Sequence, residues 1–475
     1  MLRMPTRQLR FAPYGLPLVV GLACALAMVA LVWQSSRPAP ALRVPGLDGG
    51  VADGAGKKPL DISGTLQTFA SADPAVTPVW PGFRGALRDG VHTEALSYHW
   101  PAVGPKVRWR VQMLGPGYAG PVVAQGRVLL LDYDPKWQNT GGDVLRCWNI
   151  HDGQELWRRG YTLKTKSNHG VSRTVPMVVG DVVITLGPKL HLMAVDIKSG
   201  AYLWGLDLCA QYQARVPEWY AGQCLLADDG KLLVAVGGKV LMLALDPQTG
   251  KVLWQLDAPA ELTGWEQTHA SLTPLTLAGQ RMYVACYTGG VAGISNDGTL
   301  LWTYPGWRIP QAVVASPVVV GEDHLLLAGG YGAGAQVIKV ALVEDHWQVQ
   351  RVHTFTANEF GAEQHTPIAH DGHVYGVVPG GEMVCLDPLT ATRKWSSGAV
   401  RFGLGPYFLA GDSLWALDDR GRLTVMAARP DSFSVRAQAR LLQGHESWAP
   451  MAVSGRGLIV RDLDEMVCYD LPEGP

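Results

Sequence analysis

The sequence is poor in charge and has no long run of one sign. Charged residues make up 17% of its 475 residues, and the formal net charge at pH 7 is −1. Proteins that bind nucleic acid through its phosphates need clustered lysine and arginine, because counterion release drives that binding. The composition therefore excludes a nucleic-acid partner of this kind. The apolar fraction of 47% also excludes a disordered chain, since it supplies a large core.

Motifs of the common enzyme classes are missing as well. The chain has no P-loop, no zinc-protease helix motif and no serine-nucleophile elbow. Only seven cysteines occur; none is adjacent to another, and none belongs to a C-x-x-C-H haem-binding motif. The sequence therefore offers no familiar catalytic or redox site.

One long apolar run stands near the N-terminus. Leu16–Trp33 is free of charge and, with the flanking Phe11–Tyr14, is long enough to span a membrane. Three arginines precede it. We therefore predict a cytoplasmic tail (1–10) and a single transmembrane signal anchor (11–33) in the inner membrane, with the rest of the chain on the periplasmic side.

The N-terminal sequence allows two alternatives to a permanent anchor. Ala39-Pro40-Ala41 resembles a signal-peptidase site, so cleavage stays open. Lipidation at Cys24 is disfavoured, because the preceding Gly21-Leu22-Ala23 lacks the expected leucine. All three interpretations export the remainder of the chain. Residues 34–79 are rich in Pro, Gly, Ala and Asp and are predicted to form a flexible linker.

Tryptophan (17) and glycine (56) are abundant, and both fall into a repeat. The clearest unit is Ala244–Trp254; further copies are Cys147–Trp157, Ala194–Trp204, Gly293–Trp302 and, in worn form, Cys385–Trp395. In each unit a strand reaches a polar residue whose side chain accepts hydrogen bonds from a turn. A residue at the turn, usually glycine, then takes a positive φ, and the next strand delivers a tryptophan. We expect that indole to dock on the neighbouring sheet.

The tryptophans recur at the period of a propeller blade. Those at positions 109, 157, 204, 254, 302, 347 and 395 lie 45 to 50 residues apart, the length of a four-stranded blade. The expected docking residues are Trp109, Trp157, Trp204, Trp254, Trp302 and Trp395.

Counting these units gives eight blades. The eighth, Trp448–Leu471, has only three strands of its own, and we expect Lys106–Val111 to supply the fourth and close the ring. The predicted fold is an all-β, eight-bladed propeller of four-stranded antiparallel blades over residues 106–475, with one N-terminal transmembrane helix.

These units resemble the pyrroloquinoline-quinone (PQQ) propeller repeat over about 370 residues. Trp80–Gly90 (WPGFRGALRDG) is similar to the opening segment of many bacterial propellers of this kind, and residues 80–105 are assigned to it. Arg84 and Arg88 are expected to clamp this segment to the ring through backbone carbonyls or a carboxylate. The family includes quinoprotein alcohol dehydrogenases and the outer-membrane barrel-assembly propeller lipoprotein. The resemblance therefore implies the fold and leaves the function open.

The resemblance also implies what an enzyme of this kind would carry. Its dehydrogenases hold PQQ and Ca²⁺ on the ring axis and stack the quinone against a disulfide between adjacent cysteines. This chain lacks that cysteine pair and the haem motif. We therefore expect a non-catalytic protein without cofactor or metal. The alternative is a PQQ- and Ca²⁺-dependent dehydrogenase, or another small-ligand protein that uses the axial channel.

The cysteines have simpler interpretations. Cys147, Cys385 and Cys468 occupy the small-residue slot that alanine fills in other units, and we expect them to be buried thiols. Cys209 and Cys224 flank one loop, and a disulfide between them is left open.

Polar residues at the starts of the innermost strands are the candidates for a binding site on the channel rim. They are His169, Arg173, Trp265, Gln267, His269, Gln311, Glu363, Gln364, His365, His445, Glu446 and Trp448. The histidines among them could suggest a metal site, but such residues more often satisfy exposed backbone groups or bind water, so no metal is predicted. The sequence thus predicts a membrane-anchored extracytoplasmic scaffold that binds a protein partner at one rim, in envelope or membrane-complex assembly.

Overall fold

The computed structural model of the chain describes residues 60–166 and 169–473. The predicted tail (1–10), the predicted anchor (11–33) and the linker as far as residue 59 lie outside these ranges. Within them, no helix is long and apolar enough to cross a lipid bilayer.

The described residues form eight small sheets, which we call blades 1 to 8 in chain order. Three strands precede blade 1: β1 (Thr65–Thr68), β2 (Val91–His92) and β3 (Lys106–Gln112). Blade 1 contains β4 (Val122–Ala124), β5 (Arg127–Asp134), β6 (Gly142–Asn149) and β7 (Glu155–Thr162). Blade 2 contains β8 (Met177–Val179), β9 (Val182–Leu186), β10 (His191–Asp196) and β11 (Tyr202–Asp207). Blade 3 contains β12 (Leu226–Asp228), β13 (Lys231–Gly237), β14 (Val240–Leu245) and β15 (Val252–Asp257). Blade 4 contains β16 (Thr273–Leu277), β17 (Gln280–Tyr287), β18 (Gly290–Ser295) and β19 (Leu300–Tyr304).

The second half of the ring follows the same plan. Blade 5 contains β20 (Val318–Val320), β21 (His324–Gly329), β22 (Gly334–Val343) and β23 (His346–Phe355). Blade 6 contains β24 (Ile368–His370), β25 (His373–Val377), β26 (Glu382–Asp387) and β27 (Thr392–Arg401). Blade 7 contains β28 (Tyr407–Ala410), β29 (Ser413–Leu417), β30 (Arg422–Ala427) and β31 (Val435–Arg440). Blade 8 contains β32 (Ala452–Ser454), β33 (Gly457–Arg461) and β34 (Glu465–Asp470). Short helical turns lie between strands: α1 (Leu208–Tyr212) and the 3₁₀ turns Trp137–Asn139 and Ala260–Leu262.

Within each blade, successive strands are antiparallel neighbours, and the first strand is innermost. Innermost strands of adjacent blades contact one another, as β4 does with β8 and β32. Because strand direction alternates, the loops that enter the innermost strands share one end of the ring with the turns between second and third strands. We call this the funnel end. The other turns lie at the opposite end, which we call the plug end.

The ring is closed as predicted. β3 pairs antiparallel with β34, from Lys106 opposite Asp470 to Gln112 opposite Glu465, and becomes the outermost strand of blade 8. The eight four-stranded antiparallel blades are confirmed. Two blades carry a fifth strand: β1 adds to the outer edge of blade 1, and the short β2 lies parallel to β28 in blade 7.

The strand β1 falls inside residues 34–79, which the composition predicts to be a linker. Its backbone pairs with β7 from Thr65 opposite Gly160 to Thr68 opposite Trp157. Arg159 donates to the carbonyl of Ser63 and fastens the start of the strand. Composition did not reveal this pairing, because an edge strand held by main-chain hydrogen bonds needs no apolar alternation.

The repeated tryptophans occupy equivalent places in successive blades. Trp157, Trp204 and Trp254 each stand opposite the small-residue slot of the preceding strand, at Cys147, Ala194 and Ala244. Each indole N–H donates to a backbone carbonyl of the next blade's turn, at 3.0 to 3.2 Å. Trp109 binds Ile150 of blade 1 in the same way, and Trp395 binds Arg429 of blade 7.

Trp302 departs from this pattern. The turn of blade 5 contains Glu344 and Asp345 in place of the polar-residue and glycine pattern, so it offers no equivalent docking surface. The indole N–H of Trp302 instead donates to the sulfur of Met282 in its own blade, at 3.4 Å. The ring stays buried, at 5% exposure, over Gly293.

The cysteines behave as small apolar groups. Cys147, Cys385 and Cys468 are fully buried opposite docking tryptophans, which confirms their assignment to the small-residue slot. Cys209 and Cys224 are both free thiols.

Candidate functional site

The opening segment fills the plug end of the axial channel. Trp80 pairs with Val123 of blade 1, and the Pro81 carbonyl accepts a hydrogen bond from Val178 of blade 2 at 2.8 Å. On the far side, the Gly90 carbonyl accepts one from Leu409 of blade 7 at 2.8 Å. The segment therefore crosses the channel and binds blades on both sides of it.

Two arginines hold this segment in the channel. Arg84 donates to the backbone carbonyls of Thr366 and, at 3.0 Å, Pro367. Arg88 donates to those of Leu225 and, at 3.2 Å, Cys224. Desolvation lowers the pKa of each guanidinium to about 10. The clamp expected from the sequence is present, and its acceptors are carbonyls rather than a carboxylate.

Above the plug, the funnel end opens into a cavity of about 830 Å³, measured with its open mouth. Phe83 of the opening segment contributes to its floor. The funnel is otherwise lined by residues of seven blades: Tyr118, Arg173, Trp219, Gly222, Cys224, His269, Ser271, Ala312, Val314, Tyr331, Glu363, Gln364, His365, Trp448 and Pro450.

Arg173 is the cation of the funnel. It is partly buried and lines the cavity. Its guanidinium carbon stands 5.1 Å from the centre of the Tyr118 ring, and its buried Nε has no hydrogen-bond partner. Among residues 60–166 and 169–473, no carboxylate lies within salt-bridge distance of it. Desolvation lowers the pKa of Arg173, because burial disfavours the charged form of the guanidinium.

One carboxylate acts on this cation from beyond salt-bridge distance. The charge of Glu446 raises the pKa of Arg173, while Glu446 accepts a hydrogen bond from the Tyr118 hydroxyl at 2.6 Å. Glu363, which also lines the funnel, has its pKa raised by burial. Neither carboxylate forms a direct ion pair with Arg173.

Two histidines flank the same space. Desolvation, assisted by the charges of Arg173 and Arg84, lowers the pKa of His269 and of His365 to about 4, so both rings are neutral at pH 7. Both ring nitrogens of His269 and Nε2 of His365 are buried, with backbone groups of Glu218 and Tyr220 beside the first ring and of Leu404 and Trp448 beside the second. A neutral imidazole has one donor and one acceptor nitrogen, so the two rings add neutral polar groups to the funnel wall.

Aromatic rings form the upper wall. Trp219 stacks on Tyr331, with centroids 6.2 Å apart and planes 8° from parallel. Trp448 stacks on Tyr118 at 5.2 Å, and its indole N–H donates to Asp419 at 2.8 Å. Because Tyr331 is 49% exposed, the wall reaches the surface of the ring.

The structure brings together about half of the candidates that the sequence offers. Those at the funnel are Arg173, His269, Glu363, Gln364, His365, Glu446 and Trp448. Trp265 and Gln267 are buried in the wall between blades 3 and 4, where Trp265 packs in the core and Gln267 accepts a hydrogen bond from Gln223. His169, Gln311 and His445 are exposed and do not line the cavity.

Sequence reasoning missed three aromatic members of the funnel. Tyr118 stands three residues before Pro121, so the rule that found the other candidates also covers it. Trp219 lies in the long loop before blade 3, at a positive φ of 63° that no pattern announces. Tyr331 lies in the turn between β21 and β22, which also reaches the funnel end although it does not precede an innermost strand.

Metal ligands do not converge here. Across the part of the chain that the structure describes, no three His, Cys, Asp or Glu side chains lie close enough to hold a metal ion. The described carboxylates of the funnel, Glu363 and Glu446, therefore form no three-ligand group with the neighbouring histidines.

The closed ring of eight four-stranded blades, with tryptophans docked at five of the blade junctions, defines a PQQ-type propeller. The model of the family described as outer membrane protein assembly factor BamB matches residues 90–219 and 213–436, and the chain belongs to that family. No curated protein sequence matches the chain.

Solved structures share the fold at low identity. The quinohaemoprotein alcohol dehydrogenase from Comamonas testosteroni is 13% identical with a TM-score of 0.60, over 85% of this chain and 83% of that one. The computationally designed protein Ika8 is 11% identical with a TM-score of 0.51, over 77% and 100%. BamB from Moraxella catarrhalis is 15% identical with a TM-score of 0.48, over 77% and 99%. The first two show the fold alone.

Proposed function

We propose that this protein is a non-catalytic scaffold that binds a protein partner through the funnel end of its propeller. The observation that carries the proposal is the contrast between the two ends of the channel. The opening segment of the chain occupies the plug end through hydrogen bonds to blades 1, 2, 3, 6 and 7. The funnel end keeps an aromatic wall and a cation without an ionic partner.

The family supports a role in the assembly of envelope proteins, since its description names an outer-membrane assembly factor. The proposal places the propeller on the periplasmic side of the inner membrane, tethered through residues 11–33. Aromatic and arginine side chains at the centre of a surface are the residues that contribute most to protein–protein affinity. Trp219, Tyr331, Trp448 and Arg173 supply that combination in one place.

Site-specific photocrosslinking in intact cells tests this proposal. A photoreactive amino acid replaces Tyr331, which is 49% exposed at the funnel end. The matched control replaces Leu389, which is 45% exposed in a turn at the plug end. We expect a discrete protein adduct from position 331 and none from position 389. Adducts at position 389 alone, or at neither position, would contradict the proposal.

A small ligand of the axial channel is the second candidate. The stacked aromatic rings beside Arg173 favour it, because such a wall also accepts a flat anionic molecule. Addition of PQQ and Ca²⁺ to the purified protein tests this candidate. A quinone absorbance band with dye reduction would support it, and the absence of both would remove the quinoprotein form of it.

A further inference from the structure

We propose that the funnel binds the carboxy-terminal end of a peptide, with the terminal carboxylate on Arg173 and a large apolar last side chain against the aromatic wall. The inference rests on the proposed scaffold function and names the chemistry that the partner presents. Three observations support it.

The first observation is the uncompensated charge. Arg173 is partly buried, its Nε has no partner, and no carboxylate of the described residues lies within salt-bridge distance of it. Glu446, whose charge acts on Arg173 from farther away, accepts a hydrogen bond from Tyr118. A buried cation without an anion is costly, and a ligand carboxylate that accepts hydrogen bonds from the guanidinium relieves that cost.

The second observation is the neutral polar character of the wall beside the cation. His269 and His365 both line the cavity, and burial lowers the pKa of each ring to about 4. Neutral imidazoles add no charge that competes with Arg173 for an anion. The funnel therefore holds one cation among neutral polar and aromatic groups, with space for a ligand.

The third observation is that the funnel is blind. Phe83 contributes to its floor, and Arg84 and Arg88 fix the segment that carries Phe83 to the surrounding blades. The opening segment therefore lies in the path of any polypeptide that would pass along the channel. A chain end fits a blind funnel that has a cation inside and aromatic rings at its mouth. The pair formed by Trp219 and Tyr331 offers the apolar surface for the last side chain.

Calorimetric titration of the full-length protein in detergent micelles tests the inference. The probe is a short uncharged peptide that ends in leucine with a free carboxylate. The first comparison is the same peptide ending in a carboxamide, which removes the charge and keeps the shape. We expect the amide to bind about 10- to 100-fold more weakly, the range that a hydrogen bond to a charged group contributes. Equal binding of acid and amide, or binding of neither, overturns the inference.

Matched variants locate the site. Arg173→Met should lower the affinity for the acid peptide by a similar factor, and Arg173→Lys should recover part of it. Arg420→Gln removes the same charge from an exposed arginine in a funnel-end turn and should leave the affinity unchanged. An equal loss in Arg420→Gln would show that general surface charge is responsible and would overturn the assignment to Arg173. If Arg173→Met does not fold, the comparison of the acid peptide with the amide peptide on the wild-type protein still tests whether the funnel binds a carboxylate.

A further arm separates a peptide from a free small acid. 4-Methylpentanoate carries the same carboxylate and branched chain as the leucine end without a peptide. If 4-methylpentanoate binds as tightly as the peptide, the ligand is a small acid and the peptide assignment fails. A crosslinked partner at position 331 without acid-dependent peptide binding would leave the scaffold standing and overturn this inference alone. Acid-dependent binding without any crosslinked partner would contradict the scaffold and keep the carboxylate site.

Discussion

Between blades 1 and 2, one carboxyl group is buried without a charged partner. Asp143 has no exposed surface, accepts a hydrogen bond from the Tyr161 hydroxyl at 3.0 Å, and leaves its other oxygen unbonded. Nδ1 of His191 also lies within hydrogen-bond distance of the Tyr161 hydroxyl, at 3.2 Å. Desolvation raises the pKa of Asp143 to about 7, and the nearby charge of Asp132 adds to the increase.

This shift predicts a pH-dependent effect of Asp143→Asn on stability. An unfolded aspartate loses its proton near pH 4, whereas folded Asp143 retains it until about pH 7. Between these values the folded state binds more protons, so the wild type loses stability as the pH rises, by up to about 1.4 kcal/mol per pH unit. The asparagine side chain does not titrate. The stability of the variant relative to wild type should therefore increase between pH 5 and pH 8 in urea unfolding.

Asp412→Asn is the matched control for this experiment. Asp412 is half exposed, and its hydrogen bond with Arg436 lowers the pKa of its carboxyl to about 2. It is ionised in both folded and unfolded states at pH 5 and above, so its variant should differ from wild type by the same amount at pH 5 and pH 8. A constant difference for Asp143→Asn as well would contradict the assignment of a neutral carboxyl to that position.

At the scale of the element, the docked tryptophan joins adjacent blades. Trp204 is 8% exposed, and its N–H donates to the Pro247 carbonyl of blade 3 at 3.0 Å. Gly250 lies directly beneath the ring; its φ is +70°, and a Cβ there would come within 2.6 Å of the indole. Glycine is therefore required here for two reasons: it adopts the positive φ of the turn, and it leaves room for the indole of the neighbouring blade.

Trp204→Ala should lower the free energy of unfolding by about 3 kcal/mol or more, because it leaves a cavity between two blades. Trp347→Ala is the control. Trp347 stands in the outer strand of blade 5, is only partly buried, and lies opposite Leu342 rather than a small-residue slot. We expect a loss of about 1 kcal/mol for it. Equal losses in chemical denaturation would show that docking contributes nothing beyond burial of an indole.

The repeat explains which elements were predictable. The strand–turn–strand unit with its tryptophan is a local pattern, so the blades that carry it could be counted from the sequence. The same pattern shows that blade 8 has only three strands of its own and predicts β3 as the fourth, which the pairing of β3 with β34 confirms. The strand β1 and the turn of blade 5 follow from pairing and packing with distant residues, which no local pattern records.

The funnel was only partly predictable for a similar reason. Arg173, His269, His365 and Trp448 precede innermost strands, and the propeller topology alone brings such positions to the axis. Whether one of them faces the cavity or the wall depends on the loop conformation, as Trp265 and Gln267 show by lying in the core. Tyr331 lies in a turn between the second and third strands of its blade, and such turns also reach the funnel end.

At the scale of the whole molecule, closure of the ring determines where a partner can bind. The chain enters along the outer edge of blade 1, fills the plug end and then forms β3 of blade 8. The closing strand thus fixes the segment before it inside the channel. Loss of this pairing would release the plug and open the first and last blades to edge pairing with other chains.

An engineered disulfide across the closing pair tests this account most directly. Gln112 and Glu465 stand opposite each other at the end of the β3–β34 ladder. The test uses the double variant Gln112→Cys with Glu465→Cys. We predict that oxidation forms a disulfide between positions 112 and 465, which mass spectrometry would identify. The disulfide should also raise the unfolding temperature. The control pair, Gln112→Cys with Arg440→Cys, places the second cysteine on β31 of blade 7, which is not paired with β3. Preferential oxidation of the control pair, or none of the β3–β34 pair, would contradict ring closure by β3.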